Sequence, residues 1–247
     1  LTVIEYILSS LRPFNQSRQY ADLQLAALDS WQQLGSRIIY FNTSNDTWVK
    51  ENFQIEFVKP QQNPPTIYEM LDWAIKQGNP ETSMAIVNSD IVLGRDINLV
   101  EEVVRTNHMK RNWAATSFRY TYDPLLGLDN AKRDPSDFGL DIFIAPRRIW
   151  EVLHKEMTAM MATKLTIGRI IWDNTVNAYF RERLPSNRYF DLTDWRVVFH
   201  PVHGERGRHT HYDKTTLSEL KILGSGGIPK TKYAKPDIYA STVKRSS

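Results

Sequence analysis

The sequence predicts an α/β domain of three layers, α/β/α, with a mixed, mostly parallel central sheet. Short apolar runs alternate with helical patterns through the first 120 residues. The runs are continuously apolar rather than alternating, as strands covered on both faces are. A chain of 247 residues, 41% hydrophobic and 24% charged, can also build one large core, which excludes a disordered chain.

Val3 to Leu8 (VIEYIL) reads as the first strand and ends at the polar turn Ser9-Ser10-Leu11-Arg12-Pro13. Ser17 to Leu34 is an amphipathic helix, with Leu23, Ala27, Trp31 and Leu34 on one face and Gly35 as its stop. Arg37 to Phe41 (RIIYF) is a strand ending at Asn42, and Gln54 to Val58 is another. Ile67, Met70, Leu71, Ala74 and Ile75 mark a helix stopped by Gly78 and Pro80. Ser83 to Val87 (SMAIV) is a fourth strand, running into Asn88-Ser89-Asp90. Ile97 to Thr106 reads as helix and Trp113 to Phe118 as the fifth strand.

The second half changes character. Tyr122 to Ser136 is a polar loop. Phe138 to Ala145 (FGLDIFIA) is a strand, followed by a helix with Pro146 at its first position. Trp172-Asp173-Asn174 stands early in a helix reaching about Arg183, and Trp195 to Phe199 is the last strand. Residues 224–247 read as a flexible basic tail after a single domain spanning 1–223.

Composition excludes several classes. With no cysteine, disulfide scaffolds, cysteine zinc sites and thiol catalysis fall away, and a reducing, cytoplasmic setting fits. No run of 18 apolar residues would span a membrane, and no secretory-type stretch opens the chain. It begins on Leu1 rather than Met, which leaves room for residues upstream. The net charge of +3 divides into +5 over Gly204 to Ser247 and −2 elsewhere. A nucleic-acid binder usually spreads basic residues over a folded face, so no nucleic-acid partner is expected. A basic tail on a neutral body suits a cover for a phosphate ligand or contact with acidic membrane lipids. Neither a Gly-rich phosphate loop nor a Gly-x-Ser-x-Gly elbow is present.

In mostly parallel sheets ligands sit beyond the carboxyl ends of the strands. That rule selects Ser9 to Arg12, Asn42, Asn88 to Asp90, and Arg119. Asp90, past a buried strand, can hold a hard cation through oxygen, although Asn-Ser-Asp is equally good turn chemistry. Four of the six histidines fall at His200, His203, His209 and His211, a density that suits a metal, a phosphate or a solvated loop. Asp141 lies inside an apolar strand, where an unpaired charge is costly. Alternation puts it with Gly139 and Phe143, opposite Leu140, Ile142 and Ile144. It either serves a ligand or pairs with Arg147 or Arg148. Asp173 is an N-cap or a general base at a helix start. Trp172 fits core or could stack on a sugar ring.

Together these pieces resemble a nucleotide-sugar glycosyltransferase of the GT-A fold. The likeness rests on the first strand with Ser9-Ser10-Leu11-Arg12-Pro13, on Ile38-Ile39-Tyr40-Phe41-Asn42, and on Ala85-Ile86-Val87-Asn88-Ser89-Asp90. The last of these is similar to the family's Asp-x-Asp, with Asn88 in first position. It also rests on Gly139 to Ile144, Ile167-Gly168-Arg169, Trp172-Asp173-Asn174 and His200 to His203.

The resemblance implies a nucleotide-binding half over 1–120 and an acceptor half over 121–205. Ser9, Ser10, Arg12, Asn42, Asn88, Ser89 and Arg119 would line the nucleotide-sugar site. Asp90 and His203, less so His200, would hold manganese or magnesium (Mn2+ or Mg2+). Asp173 would be the base on the acceptor hydroxyl, and Asp141 would contact donor or acceptor sugar. The implied reaction moves a hexose from a nucleoside diphosphate sugar to a glycan or lipid-linked acceptor, as in polysaccharide biosynthesis, with inversion favoured by a carboxylate suited to single displacement. A sugar-phosphate nucleotidyltransferase on a related sheet is the sister reading, and a non-catalytic module binding sugar or nucleic acid is the alternative of another class.

Overall fold

The structure, a computed structural model, describes residues 4–10, 18–42, 47–100, 104, 112–134, 139–157, 165–168, 172–202 and 241–242. The chain builds β1 (Tyr6–Ser9), α1 (Arg18–Gln33), β2 (Arg37–Phe41), α2 (Thr47–Asn52), β3 (Ile55–Val58), α3 (Ile67–Ala74), β4 (Ser83–Val87) and β5 (Val92–Leu93). It continues with β6 (Ala114–Phe118), β7 (Tyr120–Tyr122), β8 (Leu140–Pro146), α4 (Arg147–Glu156), α5 (Trp172–Arg183), β9 (Tyr189–Asp191), β10 (Val198–Pro201) and β11 (Ser241–Thr242).

Eight strands form one sheet in the order β11-β9-β6-β8-β4-β1-β2-β3. All its pairings are parallel except those of β8, which lies antiparallel between β4 and β6. This is the mixed, mostly parallel sheet the sequence predicts. Every residue of β4, β6 and β8 is buried, which is why these strands read as unbroken apolar runs.

Each sheet face carries its own core. On one, α3, α4 and α5 pack Met70, Trp150, Trp172 and Phe180 against Leu8, Ile86 and Phe143. On the other, α1 packs Ala27, Leu28 and Trp31 against Ile7, Ile38 and Val87, joined by Val100 and Val104. The spacing of Leu23, Ala27 and Trp31 on α1 thus marks its buried stripe. α3 opens with a capping box: Thr66 accepts from the Glu69 N–H, and the Glu69 carboxylate accepts from the Thr66 N–H.

Several local expectations change. Arg95–Asn98 form a 3-10 turn ahead of helical Leu99 and Val100, so the helix expected from Ile97 begins as a tighter coil. Pro146 ends β8 and stands as the N-cap of α4 rather than as its first helical residue. Thr193–Trp195 is a 3-10 turn, and the strand expected from Trp195 starts at Val198. Arg196 between them has φ 53, a left-handed kink that breaks the run.

A smaller sheet in the order β5-β10-β7 stands beside the first. Its β10 lies antiparallel to β5 and parallel to β7. It ties together the segments that follow Asp90 and Arg119 and the strand carrying His200. Among the described residues no helix is long and apolar enough to cross a membrane.

Candidate functional site

The pairing directions place the carboxyl ends of β1, β2, β4, β6 and β9 on one rim of the sheet, with the start of β8 among them. Ser9, Ser10, Asn42, Asn88 to Asp90, Arg119 and Asp141 therefore share one edge, although they lie up to 132 positions apart in the chain. Arg12, Arg169, His203, His209 and His211 lie outside the described residues.

The turn after β4 is fixed from three sides. Ser9 is fully buried and its hydroxyl donates to the Val87 carbonyl at 2.7 Å, locking the end of β1 to the end of β4. The Asn88 N–H donates to the Asp141 carbonyl at 3.1 Å. Past Asp90, the Trp31 indole donates to the Ile91 carbonyl at 2.8 Å, and Ser30 Oγ accepts from the Leu93 N–H at 3.0 Å. Asn42 is buried at the end of β2, its N–H on the Val58 carbonyl at 3.1 Å, while Ser10 and Ser89 are half-buried.

Asp141 is the hub of the edge. Its Oδ1 accepts from Asn88 Nδ2 at 2.6 Å, and its Oδ2 accepts from the Arg119 guanidinium at 2.9 Å. The partner is Arg119, not Arg147 or Arg148. Arg147 donates to the Ile75 carbonyl and Arg148 pairs with Glu81, both at the far end of β8. Phe143 faces the α5 side while Ile142 and Ile144 face the α1 side, as alternation requires. Leu140 departs from that alternation and joins the cluster of Phe143. The β6–β8 register shifts between Thr116 and Phe118, and this irregularity turns the start of β8.

α5 carries Asp173 to this edge. Trp172 is core: it is buried and packs edge-on against Phe143 with ring centroids 5.6 Å apart, so it is not available to stack on a sugar. The helix starts at Trp172, which puts Asp173 inside the first turn, its Oδ1 accepting from the Asn174 N–H at 2.8 Å. Loss of hydration pushes the Asp173 carboxyl from its ordinary 3.8 up to about 7. The Asn174 N–H opposes that, the Asp141 charge adds to it, and the Arg119 charge opposes it. Asp173, Asp141 and Arg119 thus form one electrostatic unit. A carboxylate poised near neutrality can take a proton from a hydroxyl at physiological pH.

Asp90 follows in the same turn, two residues past Asn88. His200 Nε2 stands 3.6 Å from Asp90 Oδ2, brought there by β10 of the smaller sheet. Burial raises the Tyr122 hydroxyl to about 12, with the Asp90 charge adding to it. Asp90 and His200 offer two donors, whereas a hard cation takes six or more oxygen-rich ligands. Among the described residues no group of three His, Asp or Glu side chains could hold an ion. The described residues do not complete a cation site.

Sequence reasoning did not foresee the Arg119–Asp141–Asn88 network. The one available signal was an aspartate in an apolar strand, and it pointed to the wrong arginines. A shallow depression lined by Asp29, Gln32, Gln33, Asn52 and Phe53 lies near the carboxyl ends of α1 and α2 and holds none of the candidate residues.

No protein-family model matches the chain, and no curated protein matches its sequence. Among solved structures, S. aureus TarS 1-349 in complex with UDP-GlcNAc is similar at 8% identity and TM-score 0.49, covering 92% of this chain and 68% of that one. S. aureus TarS is similar at 9% identity and TM-score 0.48, covering 90% of this chain; this chain spans 42% of its length. The 4-diphosphocytidyl-2C-methyl-D-erythritol synthase from Anaerococcus prevotii is similar at 11% identity and TM-score 0.43, covering 88% of this chain and 95% of that one. At these identities the likenesses are of chain path alone, and the chemistry of this chain rests on its own residues.

Proposed function

We propose that the chain is a glycosyltransferase moving a hexose from a nucleoside diphosphate sugar to a hydroxyl of a glycan or lipid-linked acceptor, with inversion. The observation that carries this reading is the meeting of Asp173, raised to about 7, with the paired Arg119 and Asp141 at the carboxyl rim of the sheet. A base poised near neutrality beside a guanidinium suits a reaction that takes a proton and releases an anion.

The acceptor oxygen attacks the anomeric carbon of the donor, and the bond from that carbon to the diphosphate oxygen breaks. The acceptor proton passes to an Asp173 carboxylate oxygen. The electron pair of the broken bond leaves with the nucleoside diphosphate, whose charge Arg119 receives. Asn42, Ser10 and Ser89 stand along the same rim for the base and ribose.

Single-turnover assays on a panel of nucleoside diphosphate sugars, UDP-GlcNAc included, test the reading. Asp173→Asn is expected to cut the rate by about 100- to 10,000-fold while leaving donor affinity within a few-fold of wild type. Turnover at the wild-type rate in Asp173→Asn would refute the assignment. Tight sugar binding without any turnover of the wild type would favour the non-catalytic alternative.

A further inference from the structure

The family likeness makes Asp141 a sugar contact, but its surroundings give it other work. Its side chain is 5% exposed, and its two oxygens are taken by Asn88 Nδ2 and by Arg119. With both oxygens already engaged and the side chain so little exposed, the carboxylate presents hardly any surface to a sugar hydroxyl. Gly139 supplies an independent observation. A Cβ built there would lie 2.5 Å from Arg119 Cζ, 2.7 Å from Nε and 2.9 Å from Nη1. The guanidinium therefore occupies the space that any other residue at position 139 would fill with its side chain. Arg119 is held by charge on one side, and on the other Gly139 leaves the room that its guanidinium takes.

We propose that Asp141 is a positioning residue: together with Gly139 it fixes Arg119 as the seat for the diphosphate of the donor, and it contacts no sugar itself. The nature of the anion rests on the transferase reading above, whereas the pinning of Arg119 rests on the geometry alone. A guanidinium held by a carboxylate meets a phosphate without first ordering a long, mobile side chain, and its planar fork suits two oxygens at once. Removing the carboxylate frees Arg119, and a side chain at position 139 displaces its guanidinium; in either case affinity for the anion falls.

Calorimetric titration of the full chain with inorganic pyrophosphate and with UDP tests this on wild type, Gly139→Ala and Asp141→Asn, with melting curves to confirm folding. Both variants are expected to bind pyrophosphate about tenfold more weakly, the loss of roughly one charge-assisted hydrogen bond. The donor KM rises by a similar factor while kcat changes much less. A sugar contact would behave the other way, keeping pyrophosphate affinity and losing kcat. Arg119→Lys keeps the charge but gives up the planar fork and leaves Gly139 unchanged, so it reads the same seat if Gly139→Ala does not fold, and it too is expected to lose about tenfold.

Folded variants that bind pyrophosphate within twofold of wild type would overturn the positioning role alone. A wild type that binds neither pyrophosphate nor UDP would overturn the anion seat, and the transferase reading would fall with it if no other nucleoside diphosphate binds.

Discussion

Asp173 sets the pH behaviour of the site. Its carboxyl titrates near 7 chiefly because burial strips its hydration. As the proposed base it would work only when ionised, so the rate should rise with pH through about 7 and fall away on the acid side. Removing the Arg119 charge, as in Arg119→Met, should move that limb to higher pH, because Arg119 favours the charged form. Removing the Asp141 charge should move it lower. The same shift predicts a stability effect of opposite sense to activity. A carboxyl whose folded value lies above its unfolded value stabilises the fold at low pH and loses that contribution as pH rises from about 4 to about 7. Asp173→Asn should therefore gain stability relative to wild type between pH 4 and pH 8. Denaturant melts at the two pH values check this, and a gap that does not widen with pH would count against a raised Asp173.

At the scale of elements, the site depends on how α5 and β8 are held. Trp172 anchors the first turn of α5 on Phe143, one residue before Asp173. Trp172→Ala is expected to cost about 3–5 kcal/mol by leaving a cavity, and to lower kcat as Asp173 loses its support. Asp141→Ala removes the carboxylate that Arg119 pairs with; Arg119 is 23% exposed and can turn partly to water, so a loss of about 3 kcal/mol is expected, at the low end for a buried pair. Chemical denaturation measures both, and losses under about 1 kcal/mol would mean that these contacts do not fix the elements.

This is also the scale at which the sequence stops being legible. The strands β1, β2, β4 and β6 are continuous apolar runs, and α1 and α3 show a clear stripe, so each can be read locally. The short elements α2, β5, β7 and β9 hold two to six residues, too few for a period to register, and they exist because neighbours pair with them. Asp141 and Arg119 lie 22 positions apart and meet because β8 inserts between β4 and β6, an order that no local pattern encodes. The candidates on the sheet rim were readable because strand ends are readable; the partners they take there were not.

For the molecule as a whole, one rim of one sheet gathers groups from both halves of the chain. β1, β2 and β4 contribute Ser9, Asn42 and Asn88, and the later segments contribute Arg119, Asp141 and Asp173. The smaller sheet braces this rim by joining the segments after Asp90 and Arg119 to the strand of His200. Two faces of helices bury the sheet, so its open rim is where a large polar ligand can approach the strand ends. Hydrogen–deuterium exchange of the full chain, with and without a saturating nucleoside diphosphate sugar, locates that ligand most directly. Slowed exchange is expected in the peptides covering 9–10, 42, 88–91, 119 and 139–141, with 172–175 protected further when acceptor is added. Protection confined to the opposite rim, around the ends of α1 and α2, or no protection by any nucleoside diphosphate sugar, would contradict it.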